Sequence, residues 1–244
     1  MEILPVDGLP EVGTGDRLGE LIAAAVAIGD GDVIVVAQKV VSKAEGRRRR
    51  LGDVEASARA TELAGPLGKD PRLVELILGE TERVIRSERV LIVETRSGLI
   101  CANAGIDSSN VGGVDEVLLL PADPDASARR LRAEIEEATG RRVAVIVSDS
   151  FGRPWRVGQA EVAIGCAGID PADDWRGRTD RDGRELAATQ IATVDQLAAA
   201  ADLVRDKASG TPAAIIRGRP DLVRDPDGPG ASSLQRSRAE DLFR

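Results

Sequence analysis

Four short runs rich in β-branched residues punctuate the chain, at 33–36 (VIVV), 90–93 (VLIV), 143–147 (VAVIV) and 213–216 (AAII), each ending at turn or charged residues. Unbroken apolar runs of this length mark strands covered on both faces. Between them, apolar positions recur at helical spacing over 17–27, 54–67, 72–78, 127–139 and 189–207. Pro124 and Asp125 just ahead of the 127–139 helix, and Gly140 directly after it, supply start and stop signals. Strands and helices do not alternate strictly, and 82–102 reads as paired strands. The pattern therefore predicts an α+β fold, with mixed or antiparallel sheets and flanking helices, over a doubly wound parallel sheet. No long Pro/Gly/Ser linker and no 20–50-residue repeat divides the chain, so residues 1–244 are expected to form one domain or two small interlocked ones.

Composition narrows the chemistry more than the fold. Among 244 residues, 33 Lys+Arg face 41 Asp+Glu, a formal charge of −8, which argues against a nucleic-acid partner. The aromatics are only Phe151, Trp155, Trp175 and Phe243, so the core is aliphatic and no platform for stacking bases exists. There is no histidine, which removes Ser-His-Asp and Cys-His nucleophile pairs, histidine zinc sites and an imidazole base together. Chemistry is left to carboxylates, hydroxyls, arginine, lysine and backbone. Cys101 and Cys166 each sit in an apolar run and read as reduced core residues. The longest charge-free stretch, 97–106, is ten residues, too short to span a membrane, and the N-terminus lacks a secretion pattern. A soluble, cytoplasmic protein is expected.

Neither GxxxxGK[ST] nor GxGxxG after a strand occurs, so any nucleotide is bound by another architecture. Three segments carry candidate chemistry. In GIDSSNV (105–111), Asp107 follows an apolar strand and either points into a cleft or closes a local Asx turn. In VAVIVSDSFGRPWR (143–156), a buried strand delivers Ser148, Asp149 and Ser150, oxygen donors suited to Mg²⁺ or Mn²⁺, followed by Arg153 and Arg156 as possible phosphate clamps. The same stretch also reads as a capped helix start with solvated arginines. Lys39 and Lys43, two of only four lysines, lie one helical turn apart, either on phosphates or on a solvated face. The run 47–50 (RRRR) is expected at the surface, and the loop 202–210 can present backbone groups to a ligand.

These segments, in this order, resemble the coenzyme F420:L-glutamate ligase (F420-0:γ-glutamyl ligase) family. The likeness rests on LPVDGLPEV (4–12), GDVIVVAQKVVSKAEGR (31–47), CANAGIDSSNV (101–111), LLPADPDASARRLR (119–132), residues 143–169, DGREL (182–186), residues 198–218 and EDLFR (240–244). It implies a GTP-dependent ligase that joins L-glutamate to the lactyl carboxylate of F420-0 and extends the tail by γ-linkage. It further implies an α+β homodimer with two divalent cations (Mg²⁺ or Mn²⁺) and K⁺, in the form lacking the nitroreductase-like domain fused in some relatives. By position, Asp107, Asp149 and Ser150 match metal-site residues. Leu9, Pro10, Glu11, Val12, Gln38, Lys39, Lys43 and Asn110 match GTP contacts. Leu203, Val204, Arg205, Asp206, Lys207, Ala208, Ser209 and Gly210 match a further nucleotide- and metal-contacting loop. On this reading Asp107 and Asp149 hold the metals, while Lys43, Arg153 and Arg156 gather the anions. The chain departs from the family at Ser150, where Thr is usual, and at 158–161 (GQAE), where relatives often have GQTD. Two other readings use the same residues: a metal-dependent phosphohydrolase, and a nucleotide- or anion-binding module without turnover.

Overall fold

The structure is a computed structural model and describes residues 1–108, 113, 115–205 and 210–241. The first half of the chain runs β1 (Glu2–Val6), α1 (Leu18–Ala25), β2 (Val33–Ala37), α2 (Gln38–Ala44), β3 (Arg48–Arg50), α3 (Ala58–Leu67), α4 (Pro71–Gly79), β4 (Thr81–Arg86), β5 (Ile92–Thr95) and β6 (Ile100–Ala102). The second half runs β7 (Glu116–Leu118), α5 (Pro124–Thr139), β8 (Ala144–Arg153), β9 (Arg156–Ala167), β10 (Asp173–Asp174), β11 (Gln190–Ile191), α6 (Thr193–Asp202) and β12 (Ala213–Arg217). A five-stranded sheet, ordered β1-β12-β2-β8-β9, is antiparallel throughout except for the parallel pair β2–β8. A separate three-stranded sheet, β4-β5-β6, and two small ribbons complete a mixed α+β architecture.

The large sheet is buried on both faces because its central strands are apolar at every position. Ile34, Val36, Val145, Val147 and Ile215 pack against Leu18 and Ile22 of α1 and Leu131 and Ile135 of α5. Their neighbours Val33, Val35, Ala144, Ile146 and Ile216 face Val194, Leu197 and Ala201 of α6. A third core joins α3 and α4 to the small sheet through Leu63, Val74, Ile77, Leu91 and Val93. No helix among the described residues is long and apolar enough to cross a membrane.

Several boundaries differ from the sequence pattern, each for a local reason. The strand expected at 90–93 begins at Ile92, because Arg89 turns through the left-handed region (φ 65°) and Val90 N–H bonds back to Glu88. The helix expected from 54 starts at Ala58, where the Ser57 hydroxyl accepts from Ala60 N–H at 3.1 Å as an N-cap. Helix α5 starts at Pro124, capped by Asp123, so Pro124 and Asp125 lie inside its first turn. The helix expected over 189–207 is shorter at both ends: Gln190 and Ile191 pair with β10, and α6 stops at Asp202. Arg47, expected at the surface, is half-buried, donating to the Leu120 carbonyl at 2.8 Å and to Glu80 at 2.6 Å.

Candidate active site

Strands β2 and β8 run parallel and in register from Val33↔Ala144 to Ala37↔Ser148, so their C-terminal ends lie side by side. At that edge β2 opens directly into α2, carrying Gln38, Lys39 and Lys43. β8 does not stop there. It continues through Ser148, Asp149 and Ser150 to Arg153 and returns as β9, so the capped-helix alternative does not apply. A register shift between Val147 and Ser148 falls where the strand turns from apolar to polar, and bulges of this kind re-aim the side chains that follow.

Asp107 reaches this edge from the small sheet. Asn103, Ala104 and Gly105 all have positive φ (53°, 54° and 67°), which turns the chain sharply after β6. Only glycine fits at 105, because a Cβ there would lie 2.5 Å from a Leu120 methyl. Beyond the turn, Asp107 and Leu118 exchange backbone hydrogen bonds of 3.0 and 2.8 Å, and the Asp107 carboxylate meets Lys39 Nζ at 2.7 Å.

Two carboxylates and one ammonium leave the site short of positive charge. The Asp149 carboxyl is pushed up to about 7, first by burial and then by the negative charges of Glu161 and Asp107; the Ser150 backbone N–H and Lys39 oppose this only in part. A divalent cation relieves such an imbalance, and the hard oxygen donors present suit Mg²⁺ or Mn²⁺. Among the described residues no three His, Cys, Asp or Glu side chains gather closely enough to hold an ion by themselves. Neighbouring residues of a strand project to opposite faces, which separates Asp149 from Ser150. The Ser150 hydroxyl instead donates to Glu161 Oε1 at 2.6 Å. Burial and the nearby charge of Asp149 push the Cys101 thiol up to about 12, and Cys166 is likewise buried, so both are inert thiols of the interior.

The other expected contacts sort unevenly. Lys43 Nζ bonds Glu11 at 2.6 Å, tying α2 to the stretch 9–12 and holding the Glu11 carboxyl below its usual range. In that stretch Leu9 is half-buried, Pro10 is exposed and Val12 is buried in the main core. Gln38 is buried; its Oε1 accepts from the Ser42 hydroxyl at 3.0 Å, while Nε2 has no hydrogen-bond partner among the described residues. Arg153 folds back onto its own hairpin, donating to the carbonyls of Val157 (2.7 Å) and Gly158 (3.3 Å), and Arg156 is exposed. Leu203 is exposed, Val204 half-buried, and Gly210 exposed at φ 73°. Arg205 turns inward: its Nη2 donates to Glu161 Oε2 at 3.0 Å and to Ser148 Oγ at 3.1 Å. Asn110, Asp206, Lys207, Ala208 and Ser209 lie outside the described residues. The sequence pattern misses Glu161 as a partner of Ser150, since only the hairpin register sets the two opposite each other.

This arrangement can be set beside known proteins. The F420-0:Gamma-glutamyl ligase family matches residues 8–218. The chain belongs to that family. A coenzyme F420:L-glutamate ligase of Methanothermobacter thermautotrophicus is 47% identical over 100% of this chain and 99% of its own length. Proteins of the same description from Haloarcula marismortui and Archaeoglobus fulgidus are 46% and 44% identical, over 93% and 100% of this chain and 94% and 96% of theirs. The family match takes in Asp107, Asp149, Ser150, Glu161 and Arg205, while EDLFR at 240–244 lies beyond it.

Proposed function

We propose that the protein is a GTP-dependent ligase that joins L-glutamate to the lactyl carboxylate of F420-0 and extends the product by γ-glutamyl linkage. The observation that carries this reading is the meeting of Asp149, on β8, and Asp107, in the segment after β6, beside Lys39 at the start of α2. Relatives described as coenzyme F420:L-glutamate ligases, similar over the whole chain, support it.

A carboxylate does not condense with an amine in water. The γ-phosphoryl group of GTP therefore passes to an oxygen of the F420-0 carboxylate, giving an acyl phosphate and GDP. The glutamate amine attacks the acyl carbon, phosphate leaves, and the amine proton goes to solvent. Asp107, Asp149 and Ser150 would hold the divalent ions. When bound, these ions neutralise phosphate charge. Lys39 and Lys43 lie where phosphates need positive charge, each already held by one carboxylate that keeps it at the site edge. Gln38 offers a buried amide donor with no partner among the described residues. Of the two arginines, Arg156 lies at the exposed hairpin end, whereas Arg153 must first leave the carbonyls of its own turn. K⁺ and a homodimer belong to the same reading, and the exposed Trp155 and Val157 at the hairpin tip supply apolar surface for a second copy.

The test is incubation with F420-0, GTP, Mn²⁺ and L-glutamate followed by mass spectrometry. The expected result is a product heavier by one or more glutamyl residues, formed with GDP only when every component is present. GDP release independent of glutamate, without the adduct, would overturn the ligase in favour of a phosphohydrolase.

A further inference from the structure

A buried ionic network lies on the face of the β8–β9 hairpin opposite to Asp149. Ser150 and Glu161 stand directly across from each other in the register. Glu161 receives the Ser150 hydroxyl on Oε1 at 2.6 Å and Arg205 Nη2 on Oε2 at 3.0 Å, and the same nitrogen reaches Ser148 Oγ at 3.1 Å. Glu161 and Arg205 are 7% and 8% exposed, and Arg205 Nε and Nη1 are buried with no hydrogen-bond partner among the described residues.

Such a network is a poor way to gain stability. Burying two charges costs desolvation that their attraction barely returns. What it accomplishes is orientation. A serine hydroxyl has one hydrogen and two lone pairs. With the hydrogen committed to Glu161, both lone pairs are left for another partner, and accepting that hydrogen makes the serine oxygen more electron-rich. Carboxylates placed behind a metal ligand act in this way.

We propose that Glu161 is a positioning residue that fixes the Ser150 hydroxyl as an acceptor toward a hard cation, with Arg205 holding Glu161 in place. This rests on the reading of Ser150 as a metal ligand. A role through the hydroxyl differs measurably from a role as a nearby negative charge. In the first case Glu161 matters only while the hydroxyl is present; in the second it matters regardless.

The test is Mn²⁺ titration, read by electron paramagnetic resonance of the unbound ion, on the wild-type protein, Ser150→Ala, Glu161→Met and the double variant, with an unfolding temperature for each. The expected result is that each single substitution weakens Mn²⁺ binding about tenfold, and that the double variant is no weaker than Ser150→Ala within about twofold. Losses that multiply to about a hundredfold would show Glu161 acting as a through-space charge and overturn the inference. So would an intact affinity in Glu161→Met beside a weakened Ser150→Ala, which leaves the ligand reading standing. A Ser150→Ala variant that binds as well as wild type would overturn the ligand reading itself. Should Glu161→Met fail to fold because it strands Arg205, Glu161→Met/Arg205→Met removes both charges and is compared in the same two backgrounds.

Discussion

At Asp149 the Ser150 amide and the Lys39 ammonium favour the ionised carboxylate, while burial and the charges of Glu161 and Asp107 oppose it. The opposition prevails, and the group titrates at about 7. In the unfolded chain an aspartate titrates near 3.9, at about pH 4. Folding therefore takes up a proton between these values: the contribution of Asp149 to stability is complete below the unfolded value and is lost as pH rises through 7. Asparagine has nearly the same shape without the charge. Asp149→Asn is thus expected to stabilise the metal-free protein at pH 8 by roughly 1–4 kcal/mol and to change it little at pH 4, as urea unfolding at the two pH values will show. On the proposed function the same substitution removes a metal-ligand charge, so ligation should fall more than tenfold, a loss above about 1.4 kcal/mol of transition-state stabilisation. A stabilised but inactive variant places the charge in function; a variant destabilised at pH 8 would contradict the electrostatic account. Metal binding carries a linked signature. Mn²⁺ added at pH 6 should release about one proton per ion at this group and almost none at pH 8.5, measured by pH-stat titration.

Asp125 sets an element rather than a reaction. Buried in the first turn of α5, its Oδ1 accepts from the backbone N–H groups of Cys166 (2.9 Å) and Ala231 (2.7 Å), and its Oδ2 from Ser232 (3.1 Å). One carboxylate thereby joins α5, β9 and the turn Ala231–Leu234. Asp125→Asn presents an amide donor to these donors and is expected to cost about 2–4 kcal/mol, read as a lower urea midpoint with unchanged slope. A cost below about 1 kcal/mol would mean that the three N–H groups find other acceptors. None of this was legible in the sequence, where Asp125 reads as a helix start signal. Central strands were legible because burial on both faces leaves an unbroken apolar run, as in β2 and β12. β9 was not: its first four residues are exposed, and its apolar half mixes Gly165 and three alanines with few β-branched residues. The candidate site divides the same way. Asp107 and Asp149 were visible as acids at the ends of apolar strands, whereas the pairing of Ser150 with Glu161 and Arg205 depends on a hairpin register that spacing alone does not reveal. Arg205 reads in sequence as a charged loop residue, yet it lies under the hairpin because Ser148 and Glu161 need a buried donor.

Across the whole molecule, the proposed reaction gathers three anions on a chain of formal charge −8. Two of the four lysines stand at the edge where the anions must meet, each tied to a carboxylate that a bound metal or nucleotide can release. The chain also has no histidine, so no imidazole is poised near neutrality to take a proton from the incoming amine. Glutamate's α-amine is an ammonium ion at neutral pH and attacks only after losing that proton. Asp149, a site carboxylate raised to about 7, would be held ionised by a saturating metal and would add no inflection of its own under those conditions. The rate at subsaturating glutamate then follows the unprotonated fraction of the amine. With GTP and metal saturating, kcat/KM for glutamate is expected to rise close to tenfold per pH unit through neutrality, with an optimum above about pH 8. Measurement from pH 6 to 10 decides it. A plateau already reached by pH 7 would require a base of much lower pKa acting on the amine, and since the sequence offers no imidazole, that base would have to be a carboxylate outside the Asp107–Asp149 pair.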